Sequence, residues 1–196
     1  MPGVGQPIAV TGGIGAGKTA VLQVLAELGA RTADADDLVH QLYEPGQPGH
    51  RAARERWGER ILDPDGRVNR PALAEIVFAD PNELSWLNGV IHPMVKERIA
   101  ELASVGPGNL YCGIPLLFEA GWASRMKATI SVWCDPETQH RRLRNRGWND
   151  QEIARRLACQ MTMDEKLERG DIGIINSGSW DHLREQCRLA RERLET

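Results

Sequence analysis

The sequence predicts an α/β fold with a mostly parallel sheet, on three observations. Short β-type apolar runs recur along its 196 residues, stretches of helical periodicity separate them, and the first run stops at a glycine-rich loop. Alternation of this kind implies right-handed βαβ units, because parallel neighbours need a crossover.

The first run is Ile8-Ala9-Val10, ending at Thr11-Gly12-Gly13. In the helical pattern that follows, Val21, Leu25 and Leu28 share one face, and Gly29 supplies the stop. A second strand over 31–33 ends at Asp34-Ala35-Asp36, and further strands are expected over 110–114, 129–134 and 172–175. The stretch 46–104 breaks the rhythm: it reads as short helices punctuated by Pro and Gly, with a turn at Asp63-Pro64-Asp65-Gly66. We expect one domain, with core 1–45 and 105–196 and a helical insertion over 46–104. The last helix follows Ser179 as N-cap, and its stripe of Leu183, Cys187, Ala190 and Leu194 reads as packing.

Composition narrows the classes of function. Twenty-four Lys and Arg against 27 Asp and Glu give a formal charge of -3, which argues against a protein that coats nucleic acid. The four cysteines (Cys112, Cys134, Cys159, Cys187) are widely spaced, which argues against a disulfide framework or a zinc site. No leader-like segment or membrane-length apolar run is visible, so the expectation is a cytoplasmic protein without a membrane partner.

The glycine-rich loop carries the chemistry. Gly12-Gly13-Ile14-Gly15-Ala16-Gly17-Lys18-Thr19 fulfils the G-x-x-x-x-G-K-[ST] pattern between a strand and a helix. Glycines let the backbone approach phosphate oxygens, and the loop N–H groups together with the helix N-terminus point at the anion. Lys18 is expected to reach the β- and γ-phosphates, and the Thr19 hydroxyl to coordinate Mg²⁺. The plain alternative is a glycine-rich turn that only joins strand to helix. No Asn-Lys-x-Asp guanine-reading motif is present, and Asp63-x-x-Gly66 follows no strand, so a GTPase switch is disfavoured.

Two other clusters fit phosphoryl transfer. Asp34 and Asp36 lie at the carboxyl end of the second strand, the edge where open α/β sheets bind ligands. Either could take a proton from an acceptor hydroxyl, or simply cap the next helix. In Arg141-Arg142-Leu143-Arg144-Asn145-Arg146, Arg142 and Arg146 fall on one helical face, with Arg155 and Arg156 further on. Gly147 offers a break, and another helix should begin near Asn149 or Asp150. The segment reads as a lid, about 142–160, whose cations close over the phosphates, or as a solvated helix face.

Together with the loop, further blocks make the chain resemble the dephospho-CoA kinase family over nearly its whole length. They are Asp34-Ala35-Asp36, Glu44-Pro45-Gly46-Gln47-Pro48, Ile76-Val77-Phe78-Ala79-Asp80-Pro81, Ile91-His92-Pro93, Ile114-Pro115-Leu116-Leu117-Phe118-Glu119 and Asn176-Ser177-Gly178. The resemblance implies a P-loop kinase fold with a five-stranded parallel sheet, a helical CoA-side insertion and a mobile lid. It implies transfer of the ATP γ-phosphate, with Mg²⁺, to the ribose 3′-hydroxyl of dephospho-CoA by a monomer or weak oligomer. It also implies site residues: Asp36 as base, with Lys18 and Arg142, and ATP contacts from Gly12 through Ala20 and from Arg142 and Arg146. His92, Pro115, Leu116, Leu117 and Glu119 fall in blocks expected near the acceptor. Read alone, His92-Pro93 equally starts a helix, and Leu116-Leu117-Phe118 reads as core.

Three positions depart from the family pattern. Gly113 stands where many members carry Asp, so no metal ligand is expected there. His40 stands where Arg is frequent, and Gly147 replaces a frequent acid. None touches Lys18, Thr19 or Asp36, so an active enzyme is expected. The alternatives are a related P-loop kinase of another small hydroxyl acceptor and a nucleotide-binding regulatory protein with little turnover.

Overall fold

A computed structural model describes residues 5–195. These fall into two compact units, one of residues 5–34 and 102–195 and the other Ala35–Glu101. The sequence places the helical insertion at 46–104; the compact helical unit is broader at its start and takes in the helix that carries Asp36.

The first unit is built on five parallel strands: β1 (Pro7–Gly12), β2 (Arg31–Asp34), β3 (Leu110–Gly113), β4 (Ala128–Trp133) and β5 (Ile172–Ile175), in the order β2-β3-β1-β4-β5. The central strand is β1, with Val10 opposite Gly113 on one side and Ile130 on the other. Buried on both faces, β1 and β3 read as near-continuous apolar runs. Its central place carries the glycine loop to the carboxyl edge at the point where strand order reverses.

Helix α1 (Lys18–Glu27) lies against α9 (Trp180–Glu195). Val21 and Leu25 join Ile8, Val10, Ile130 and Ile174 in the core, closed by Leu183, Cys187 and Ala190. Full burial of such an aliphatic side chain is worth roughly 1.5–3 kcal/mol. As expected, Gly29 (φ 83) follows the end of α1, and the Ser179 hydroxyl accepts the His182 N–H at the start of α9. At the sheet edge, Gln186 of α9 donates Nε2 to the Ile175 carbonyl (2.9 Å) and accepts the Ile175 N–H at Oε1 (2.9 Å).

The second unit contains α2 (Ala35–Leu42), α3 (Pro48–Trp57), α4 (Arg70–Ala79) and most of α5 (Pro81–Ser104). Trp57 meets Trp86 edge-on at 5.0 Å, and the Trp57 indole N–H donates to Glu83 (2.8 Å). The Asp63–Gly66 segment is a turn: Asp63 Oδ1 accepts the N–H groups of Asp65 and Arg67. The reading of His92-Pro93 as a helix start is corrected, because α5 runs through Pro93. The start is instead Pro81, preceded by Asp80, whose side chain accepts the Asn82 N–H (2.8 Å). Pro93 removes one helical donor and crowds the carbonyl four residues earlier, that of Gly89, which carries no side chain.

Candidate functional site

The loop grows out of β1 and closes into α1. At Gly12 a Cβ would stand 2.5 Å from the Val132 carbonyl oxygen, so the loop leaves the sheet where only glycine fits. At Gly17 the backbone is left-handed (φ 96) and a Cβ would meet Asn176 Nδ2 at 2.0 Å. Lys18 Nζ donates to the Gly12 carbonyl (3.1 Å), so its ammonium reaches back to the start of the loop.

The helices of the chain start in two ways. Asn69, Asp135, Asn149 and Thr162 cap α4, α6 (Pro136–Asn145), α7 (Asp150–Leu157) and α8 (Met163–Arg169) through their side chains. Helices α1 and α3 have no side-chain cap and no acid in the first turn; at α1 that open start follows the glycine loop, which suits an external anion.

The other side of the loop is held by side chains. Arg142 on α6 donates to the carbonyls of Gly15 (3.3 Å), Ala16 (3.1 Å) and Asn176 (2.9 Å). Asn176 Nδ2 adds a bond to the Ala16 carbonyl (2.9 Å), and Cys134 Sγ contacts the Gly15 carbonyl at 3.8 Å. Burial pushes the Cys134 thiol up, keeping it a donor. Gln139 Nε2 donates to the Ile14 carbonyl (2.7 Å), and Gln160 Oε1 accepts the Ile14 N–H (3.2 Å). Helix α6 is itself anchored at Asp135, whose carboxyl is lowered to about 2 by the Thr138 N–H, then by the Thr138 and Ser177 hydroxyls.

The arginines thus differ from one another. Arg142 grips carbonyls of the loop, whereas Arg144 pairs with Asp150 (2.8 Å) and Arg155 and Arg156 share Glu152 (2.9 and 2.5 Å). Arg146 is exposed at the C-terminal end of α6 and makes no ion pair among the described residues. Gly147 (φ 85) breaks the chain there, and α7 begins at Asp150 behind Asn149, as expected.

The segment after β3 is tied down rather than open throughout. Leu117 is wholly buried, as the core reading of Leu116-Leu117-Phe118 expects for that residue, while Leu116 is exposed. The Pro115 carbonyl accepts from Thr11 Oγ1 (3.3 Å) and from Lys166 Nζ (2.7 Å). Lys166, on α8, is fully buried and pairs with Glu119 Oε1 at 2.8 Å; the same oxygen accepts the Met161 N–H (3.0 Å). Burial raises the Glu119 pKa, but hydrogen bonds from Lys166 and from its own and the Met161 N–H groups, with the Lys166 charge, outweigh it and leave it below the ordinary value.

Asp34 ends β2 opposite Gly113, where a Cβ would stand 3.0 Å from Asp34 Oδ2 and 2.8 Å from Leu22 Cδ1. A carboxylate therefore does stand over this edge, supplied by Asp34. Burial, then the Asp34 charge, pushes the Cys112 thiol beside it up to about 12. In the other unit, Asp36 is exposed in the first turn of α2, His40 Nε2 hydrogen-bonds with Arg70, and His92 is half-buried on α5. Burial, then the Lys96 charge, lowers the His92 pKa, which favours its neutral form.

The sequence reading assigned no role to Gln139, Gln160, Asn176 and Lys166. Gln139 lies three residues before Arg142, so helical spacing alone would have put both on one face. A fully buried lysine is rare enough that no sequence signal suggests it.

Comparison with known proteins fits this geometry. A model of the family described as Dephospho-CoA kinase matches residues 6–182. A dephospho-CoA kinase of Geobacter metallireducens is 40% identical, covering 96% of each chain. One of Symbiobacterium thermophilum is 38% identical over 93% of this chain and 79% of its own. A solved structure described as TT1252 from Thermus thermophilus superposes with a TM-score of 0.86 at 32% identity, covering 99% of this chain and 100% of the other. The chain belongs to the dephospho-CoA kinase family.

Proposed function

We propose that the chain transfers the γ-phosphoryl group of ATP to the ribose 3′-hydroxyl of dephospho-CoA, giving coenzyme A and ADP. The observation that carries this reading is the family match over residues 6–182, which spans the loop and every block read as acceptor-side. The loop N–H groups and the uncapped start of α1 hold the ATP phosphates, and Lys18 neutralises charge on the group in transfer. Asp36 takes the 3′-hydroxyl proton as its oxygen bonds to the γ-phosphorus and the bond to the β-phosphate oxygen breaks. Arg142 acts on the nucleotide through the loop carbonyls it grips, and exposed Arg146 is the lid cation for the phosphates. Gly12 through Ala20 make the remaining ATP contacts. His92, Pro115, Leu116 and Glu119 are the acceptor-side residues, and Leu117 is buried beneath its own segment.

Mg²⁺ fits the donors at this edge: the Thr19 hydroxyl is exposed, and Asp34 offers a second hard oxygen over Gly113. Such an ion takes one or two protein oxygens and completes its shell with phosphate and water. When bound, the ion would supply positive charge against the phosphoryl group in transfer. Widely spaced cysteines support a cytoplasmic enzyme and the net charge of -3 speaks against a nucleic-acid partner; the enzyme is read as a monomer or weak oligomer without a membrane partner. Among the described residues no helix is long and apolar enough to cross a membrane.

The test is ADP release by the full chain with ATP and Mg²⁺, with and without dephospho-CoA. Strong stimulation by dephospho-CoA is expected. Stimulation by another nucleoside or a sugar acid, but not by dephospho-CoA, would overturn the assignment. ATP binding without turnover under any acceptor would point to a regulatory protein.

A further inference from the structure

Ile14 sits inside the phosphate loop, and both peptides that flank it are gripped by side chains from elsewhere. Gln139 Nε2, on α6, holds the Ile14 carbonyl at 2.7 Å, and Gln160 Oε1, just beyond α7, holds the Ile14 N–H at 3.2 Å. A trans peptide is planar, so its C=O and the following N–H point in opposite directions. Drawing the Ile14 carbonyl onto Gln139 therefore aims the Gly15 N–H the other way. Drawing the Ile14 N–H onto Gln160 likewise turns the Gly13 carbonyl inward along the loop, where it accepts the Ala16 N–H at 3.1 Å.

The loop needs such constraints. Gly15 has φ 80 and no side chain of its own to restrain it, so the freedom that lets it approach an anion also lets it rotate away. With Arg142 and Asn176 on the Gly15 and Ala16 carbonyls, three consecutive carbonyls are held by side chains outside the loop. Gln160 stands apart from that row, because it takes a donor. It is also one residue from Met161, whose N–H is held by Glu119, so its backbone is pinned beside the Lys166 ion pair.

We propose that Gln139 and Gln160 are positioning residues for phosphoryl transfer: they orient the two peptides flanking Ile14 so that the Gly15 N–H faces the ATP phosphates. This rests on the reading of the loop as the ATP site. Through Gln160, the set of the loop also depends on the segment that joins α7 to α8.

The two glutamines use opposite ends of their amides, and the test exploits that. In the nucleotide-free full chain, hydrogen exchange of the Ile14 amide is followed by NMR. Gln160→Met, of similar length but without the acceptor, should speed that exchange about tenfold or more, the scale of losing one hydrogen bond. Gln160→Glu keeps the acceptor oxygen and should restore protection. Gln139→Glu loses the donor and sets a carboxylate against a carbonyl, so it should fail to rescue Gln139→Met. In steady-state assays, each Met variant should lower kcat/KM for ATP about 3- to 10-fold and leave KM for dephospho-CoA within about twofold. Unchanged Ile14 exchange in Gln160→Met, or equal losses on the ATP and dephospho-CoA sides, would overturn the proposal. If Gln139→Met does not fold, the Gln160 pair decides alone. If the wild-type chain binds no ATP, the reading of the loop as the ATP site fails, which the exchange data distinguish from failure of the glutamine roles.

Discussion

The two units make their proposed contributions with different parts of the chain. In the unit of residues 5–34 and 102–195 the loop offers main-chain N–H groups, and side chains such as Gln139, Arg142 and Asn176 serve the backbone by holding its carbonyls. In Ala35–Glu101 the proposed contributions are single side chains, Asp36 on α2 and His92 on α5. A backbone site constrains residue type over many consecutive positions. A side-chain site constrains one position at a time. The first kind therefore leaves a far stronger trace in sequence and tolerates fewer substitutions.

Three substitutions would sharpen or break that contrast, and Lys18→Ala has the largest expected effect. It removes the loop's own cation and should reduce turnover about 10³-fold, the upper range for one preorganised electrostatic donor. Near-normal turnover in a single-turnover assay would sink the loop mechanism. Asp36→Asn should follow, lowering kcat about 10²-fold while ATP affinity, read by calorimetry, changes only a few-fold. A silent Asp36→Asn beside a damaging Asp34→Asn would move the base to the other carboxylate, and with it the chemistry from one unit to the other.

Glu119→Gln should have the smallest effect on the chemistry and a clear one on stability. It leaves Lys166 buried without its carboxylate, which costs about 3 kcal/mol when one partner of such a pair is removed. Urea denaturation at neutral pH measures this, and a loss within error would show that Lys166 is satisfied by the Pro115 carbonyl alone. The pH dependence follows from the lowered Glu119 pKa. A carboxylate with a depressed folded pKa stabilises fully above its unfolded value of about 4.3, and that contribution fades as pH falls through the lower folded value. Acid destabilisation in that window should therefore be shallower in Glu119→Gln than in the wild type.

Much of the fold was legible because its signals are local. Ile8-Ala9-Val10 followed by glycines, the Ser179 cap and the Gly29 and Gly147 breaks each fix their own few residues. The Pro93 region was not, since Pro ordinarily ends a helix and its tolerance inside α5 is set by the surrounding helix rather than by its own few residues. In the site, the loop was legible from residue type. The burial of Lys166 and the grip of Gln139 and Gln160 on Ile14 were not, because they depend on partners 47, 125 and 146 positions away in sequence, set only by packing.

The Gln186 amide at the rim of the sheet has a consequence of another kind. Its Nε2 and Oε1 reproduce at Ile175 the donor and acceptor that a sixth strand would present. Open strand edges recruit foreign chains, and a rung already satisfied from within has nothing left to offer one. The chain thus terminates its own ladder at that point, which guards a crowded, newly made protein against joining edge to edge with its copies.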